Sequence, residues 1–112
     1  MKDLMERLRD FVEERDWAQF HSPKNLAMAL SVEVSEVIEH FQWLTQEQSY
    51  HIEPSKIEEI REEIGDVVIY LAMLSDKLGI DPIKAAFDKM EKNRKNYPAK
   101  LVKSKAKKYK EY

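Results

Sequence analysis

Apolar residues recur at the three-and-four spacing of a helix along most of the chain, and four prolines cut that pattern into stretches. Leu4, Leu8, Phe11 and Val12 mark the first stretch, over residues 3–17. The second opens on Ser22 as a cap, with Pro23 at the first helical position, where a missing N–H costs nothing. Its periodicity carries on to Leu44, and the segment from Thr45 to Pro54 is polar and irregular. The third opens with Ser55-x-x-Glu58, a capping-box pattern, and runs to Leu78, where Gly79 can supply the left-handed residue that ends a helix. The fourth has Asp81 as cap and Pro82 first, and reaches Asn96 before Tyr97-Pro98. No stretch alternates with period two for long enough to make a strand. The expected fold is all-α, a four-helix bundle whose long second and third helices run antiparallel.

The second helix is apolar round much of its circumference, with Leu26, Leu30, Val34, Val37 and Phe41 on one side and Met28 and Val32 on another. A helix of that kind is covered on several sides, more than one small chain can supply, so a homo-oligomer is expected. Composition keeps the picture globular: of 112 residues, 43% are hydrophobic and 36% charged. No apolar run approaches the ~20 residues of a membrane span, and the charged start Met1-Lys2-Asp3 is not a secretory signal. A cytoplasmic protein with no membrane partner is expected. Charge is unevenly spread. Six of the 19 basic residues but only one of the 21 acidic ones fall in 99–112, which leaves residues 1–98 acidic. An acidic body makes nucleic acid an unfavoured partner, and the lysine-rich tail reads as a solvated terminus. The domain is therefore placed at residues 1–98, with 99–112 outside it.

Absences narrow the chemistry. With no cysteine there are no thiol nucleophiles, disulfides or cysteine-held metals, and two glycines cannot build a glycine-rich phosphate cradle. Any phosphate must be held by side chains or by a metal. On the second helix Glu33, Glu36, His40 and Trp43 fall in one stripe; on the third, Glu59, Glu63, Asp66 and Tyr70 do the same. If the stripes face each other, Glu33, Glu36, Glu63 and Asp66 converge beside the core. Four such acids repel one another and lose hydration, a cost that a cation offsets. Oxygen-only ligands suit Mg²⁺, with Mn²⁺ as a substitute, and Mg²⁺ commonly completes its shell with water and substrate phosphates. The bland reading is a solvated helix face, and spacing alone does not separate the two.

Other residues can form the organic half of a site. Trp17, Phe20, His21, Trp43 and Tyr70 offer flat surfaces for a base, and Lys24, Asn25, Lys89, Asn93 and Arg94 can contact phosphate or sugar. Each has a plainer reading, as core aromatic, linker histidine or helix-end cation. Gly65, which costs the third helix ~1 kcal/mol relative to alanine, suggests close packing beside the acids.

These residues, taken in order, resemble a known family. Glu33-x-x-Glu36, then Glu63-x-x-Asp66, then Lys89-x-x-x-Asn93-Arg94-x-x-Tyr97-Pro98 is similar to the MazG-like, all-α nucleoside triphosphate pyrophosphohydrolases. Glu14-Arg15-Asp16-Trp17-Ala18-Gln19-Phe20-His21, Pro23-Lys24-Asn25-Leu26, Phe41-Gln42-Trp43 and Asp66-Val67-Val68-Ile69-Tyr70 resemble the dCTP pyrophosphatase branch. The resemblance covers residues 4–98. It implies cleavage of a nucleoside triphosphate between its first and second phosphates, clearing surplus or modified nucleotides. It further implies that Glu33, Glu36, Glu63 and Asp66 bind Mg²⁺, with Glu36 or Glu33 also orienting or deprotonating the attacking water. Lys89, Asn93, Arg94 and Tyr97 would hold phosphate or sugar, and Trp17, His21, Asn25, Trp43 and Tyr70 would enclose the base. The branch implies a tetramer, with dimers elsewhere in the family. Two rivals are a related activity on dUTP or a modified triphosphate, and a non-enzymatic helical oligomer acting as a binding module. A di-iron bundle fits poorly, because Glu36-x-x-x-His40 has the wrong spacing.

Overall fold

The computed structural model describes residues 1–97 and residue 99; the expected stop at Pro98 and the lysines of the tail lie outside the described residues. Five α-helices follow one another: α1 (Lys2–Glu14), α2 (Pro23–Glu39), α3 (Gln46–Ser49), α4 (Pro54–Lys77) and α5 (Pro82–Asn96), with a 3₁₀ turn at Ala18–Phe20. No strand occurs among the described residues, so the chain is all-α as expected. None of these helices is long and apolar enough to cross a membrane. The chain divides into two compact units, residues 1–80 and residues 81 onward.

Most helix ends follow from the residues that flank them. Ser22 accepts a hydrogen bond from the Asn25 backbone N–H at 3.1 Å, and Asp81 accepts from the N–H groups of Ile83 and Lys84. Each cap satisfies donors that the first turn leaves free. Gly79 takes φ +67° after α4, a conformation open to glycine without strain. Three boundaries differ from expectation. α1 stops at Glu14, because Asp16 turns left-handed at φ 53° and Trp17 folds back, its N–H donating to the Val12 carbonyl. α2 ends at Glu39, well short of Leu44; residues 40–44 form turns whose N–H groups bond to the Val37, Ile38 and Phe41 carbonyls. α4 begins at Pro54, with Glu53 in the cap place and no side-chain cap bond. Pro54 needs no N–H partner at that position, so Ser55 already lies inside the helix. The capping box that does form is Thr45 with Gln48, and it starts α3 inside the segment expected to be irregular.

In the first unit α2 packs extensively along α4, and α1 rests on α4 over a smaller contact. Among the described residues the buried side chains are few: Leu26 from α2 and Ile60, Ala72 and Ser75 from α4. Met28, Val32 and Ile38 of α2 are each more than half exposed. Gly65 is a correction: a Cβ there would meet nothing within 4 Å, so no close approach within the chain calls for glycine.

Candidate functional site

The packing of α2 along α4 brings the two acid stripes into electrostatic contact. Glu33, Glu36 and Glu63 are half-buried, while Asp66 is exposed. Oε2 of Glu33 and Oε2 of Glu63 are shut off from solvent, and no hydrogen bond reaches either. His40 Nε2 lies against that Glu63 oxygen across the helix pair, a close polar contact without the alignment of a hydrogen bond. Burial holds the Glu33 carboxyl above its ordinary value of 4.5; the Glu36 charge, a hydrogen bond with Glu36, and the Asp66 and Glu63 charges push it the same way. The charges of the other three predicted acids thus bear on Glu33. Buried carboxylate oxygens without donors are costly, and native structures keep them where a function or an ion accounts for them. This donor set, with oxygen ligands on two helices and two buried oxygens that no hydrogen bond reaches, fits a hard divalent cation. As they stand, no three acidic or histidine side chains among the described residues are drawn in closely enough to hold an ion. Convergence here is a shared field rather than a finished cage.

Beside the acids a hollow of about 350 Å³ opens between α1 and α4, within the size range of small-molecule sites. Four residues singled out from the sequence line it: Trp17, His21, Asp66 and Tyr70. An acid of the cluster and three flat side chains therefore face one space. Trp17 is set edge-on to Phe11, with ring centroids 5.7 Å apart. The Arg15 guanidinium lies 3.6 Å over the Phe11 ring and donates to the Phe11 carbonyl at 3.0 Å. This stack fixes the aromatic wall where the chain leaves α1. Sequence reasoning passed over Arg7 and Phe11, which also line the hollow. Phe11 carried a signal, since it shares the apolar stripe of Leu4 and Leu8. Arg7, paired with Asp3 at 3.4 Å, carried none.

Lys24, Asn25 and Trp43 do not line this hollow. Asn25 donates its side-chain N–H to the Phe20 carbonyl at 3.1 Å and so ties the 3₁₀ turn to α2. Lys24 is exposed beside it, and Trp43 is 86% exposed in the turns after α2. Lys89, Asn93 and Arg94 lie on α5 in the second unit, and Tyr97 caps it by donating its N–H to the Asn93 carbonyl at 2.7 Å. Lys89 and Asn93, four apart, share a face of α5, and Arg94 pairs with Glu91 at 3.7 Å.

Comparison with known proteins identifies the family and the fold. Residues 28–112 match the MazG-like family. The chain is 40% identical over 99% of its length to dCTP pyrophosphatase 1 of Homo sapiens, and 38% identical over 97% to that of Rattus norvegicus. It spans 66% and 65% of those relatives' own lengths. A crystal structure of a pyrophosphatase from Archaeoglobus fulgidus superposes with a TM-score of 0.82 at 43% identity, over 88% of this chain and 92% of that one.

Proposed function

The chain belongs to the MazG-like family, and on that premise we propose that it is a Mg²⁺-dependent nucleoside triphosphate pyrophosphohydrolase. Its substrate is dCTP or a closely related or modified deoxynucleoside triphosphate, and its products are the monophosphate and pyrophosphate. Water attacks the first phosphorus, the bond to the oxygen bridging the second phosphate breaks, and that oxygen leaves with pyrophosphate. The observation that carries this reading is the pair of buried carboxylate oxygens of Glu33 and Glu63 on facing helices, neither reached by a hydrogen bond, with the charges of Glu36, Glu63 and Asp66 bearing on Glu33. Family membership implies a divalent metal; Mg²⁺ is the ion proposed, with Mn²⁺ as substitute, held by Glu33, Glu36, Glu63 and Asp66. When bound, the metal neutralises charge on the phosphates and aligns the attack.

The chain's own residues supply the rest. Trp17, His21 and Tyr70 enclose the base in the hollow that Asp66 shares, and hydrogen bonds to the base edge there decide between pyrimidines. Asn25 and Trp43 keep a role in base binding and Lys24 in phosphate binding only if the site is completed from outside the hollow. Lys89, Asn93, Arg94 and Tyr97 are the proposed contacts to phosphate or sugar, and residues 1–98 the functional domain. The exposed apolar side chains of α2 support a homo-oligomer, for which we propose a tetramer. The same faces favour the second reading, a binding module, if no catalysis is found. A cytoplasmic location and an independence of nucleic acid complete the proposal. A panel of dCTP, dUTP, dTTP and modified triphosphates, each with Mg²⁺ and with chelator, tests it through pyrophosphate release. The expected result is release from dCTP or a modified pyrimidine triphosphate with Mg²⁺ alone. Silence across the panel, with no nucleotide-dependent thermal shift, leaves the binding module.

A further inference from the structure

We propose that Arg9 and Asp76 form a positioning pair that holds α1, and the Trp17–His21 wall that follows it, against α4 at the base-binding hollow. The proposal rests on the nucleotide reading for its effect on substrate, but the contact itself is argued from packing. α1 contributes Leu8 and Phe11 to one side of the hollow, yet no residue of α1 is buried. A second hollow of about 310 Å³ lies along α1 and is bordered by Met5, Glu13, Asp76 and Lys77. Leu8, Val12, His21 and Met73 border both spaces. α1 therefore meets α4 along a narrow apolar ridge with a hollow on either side of it. A ridge fixes distance but leaves a helix free to rock, and rocking would swing Trp17 across the hollow.

The one ion pair between α1 and α4 among the described residues stands beside that ridge. Arg9 Nε donates to Asp76 Oδ2 at 2.8 Å, and Arg9 Nη2 donates to Asp76 Oδ1. A two-point fork fixes orientation as well as separation, which a single contact does not. The plain alternative is a solvated surface pair. Arg9 is 58% and Asp76 28% exposed, and exposed pairs contribute little to stability. A weak tie nevertheless matters where the element it holds has little else to hold it, because the competent population scales apparent affinity directly. The expected effects are accordingly a few-fold.

The test uses the full chain with Arg9→Ala, Asp76→Ala, Arg9→Lys and the exchanged pair Arg9→Asp with Asp76→Arg. Two readouts are followed: amide hydrogen exchange across residues 2–14, and KM and kcat for dCTP with Mg²⁺. Each alanine variant should speed exchange in α1 roughly threefold, within the range an exposed pair allows, while the centre of α4 stays protected. KM should rise by a similar factor with kcat at saturation retained. Lysine should fall between, since it keeps the charge and loses the fork, and the exchanged pair should restore both values. Unchanged α1 exchange in the alanine variants overturns the proposal, as does a fall in kcat with KM constant. If the wild-type chain cleaves no triphosphate, the functional reading has failed separately, and the exchange measurement still decides the tie between α1 and α4.

Discussion

Replacing Glu63 or Asp66 with alanine should lower Mg²⁺-dependent turnover of dCTP by roughly three orders of magnitude, the several kcal/mol that loss of a metal ligand removes from transition-state stabilisation. Neither residue belongs to the buried apolar set of Leu26, Ile60 and Ala72, so helix content by circular dichroism should stay near that of the wild type. The two positions differ in a second respect. Glu63 is half-buried against His40, whereas Asp66 is exposed at the hollow between α1 and α4. Glu63→Ala should therefore lose metal affinity foremost. Asp66→Ala should also disturb the surroundings of the base and raise KM for whatever activity survives. Calorimetric titration with Mg²⁺ and steady-state kinetics separate the effects. Full activity in both variants contradicts the four-carboxylate mechanism.

Glu33→Gln should abolish activity and, in chelator, make the protein more stable. The substitution keeps the side chain's volume and removes a charge that burial and three neighbouring acids oppose. The variant should therefore melt at a higher Tm than the wild type in chelator. The direction with pH follows from linkage. The folded state holds the Glu33 proton more tightly than the unfolded chain, whose value is near the ordinary 4.5. The penalty is therefore fully present above the raised folded value and is relieved as pH falls through it toward 4.5. In chelator, the stability gap between wild type and Glu33→Gln should narrow over that window. Adding Mg²⁺ at neutral pH should raise the wild-type Tm more than that of the variant, which lacks one of the four proposed ligands. A variant less stable than wild type in chelator would show that Glu33 is a satisfied surface acid. Stability exchanged for function in this way is common at binding sites.

Much of this was legible from spacing, and the rest depended on how helices meet. Pro23 and Pro82, each preceded by a side-chain cap, placed two helix starts, and Gly79 placed a helix end. The end of α2 was not legible, because Phe41 and Trp43 prolong the apolar period into residues that the backbone folds as turns. Thr45-x-x-Gln48 is a capping box that could have been read as one. Ser55-x-x-Glu58 has the same pattern but loses to the proline before it. Within the site, Glu33 with Glu36 and Glu63 with Asp66 were visible because residues three apart share a helix face. The contact of His40 with Glu63 was not visible, since it depends on the relative register of α2 and α4. Arg7 likewise became a lining residue only once α1 was laid on α4. Trp43 shows the limit of face arguments: it lies on the acid stripe by angle, but the helix ends before reaching it.

The most direct measurement is a crystal structure with Mn²⁺ in place of Mg²⁺ and a non-hydrolysable dCTP analogue, with the ion located by its anomalous scattering. The expected result is an ion within ~2 Å of carboxylate oxygens from both α2 and α4, drawn from Glu33, Glu36, Glu63 and Asp66, with analogue phosphate oxygens completing its shell. An ion bound elsewhere, or those carboxylates turned to bulk solvent with the analogue in place, contradicts the assignment.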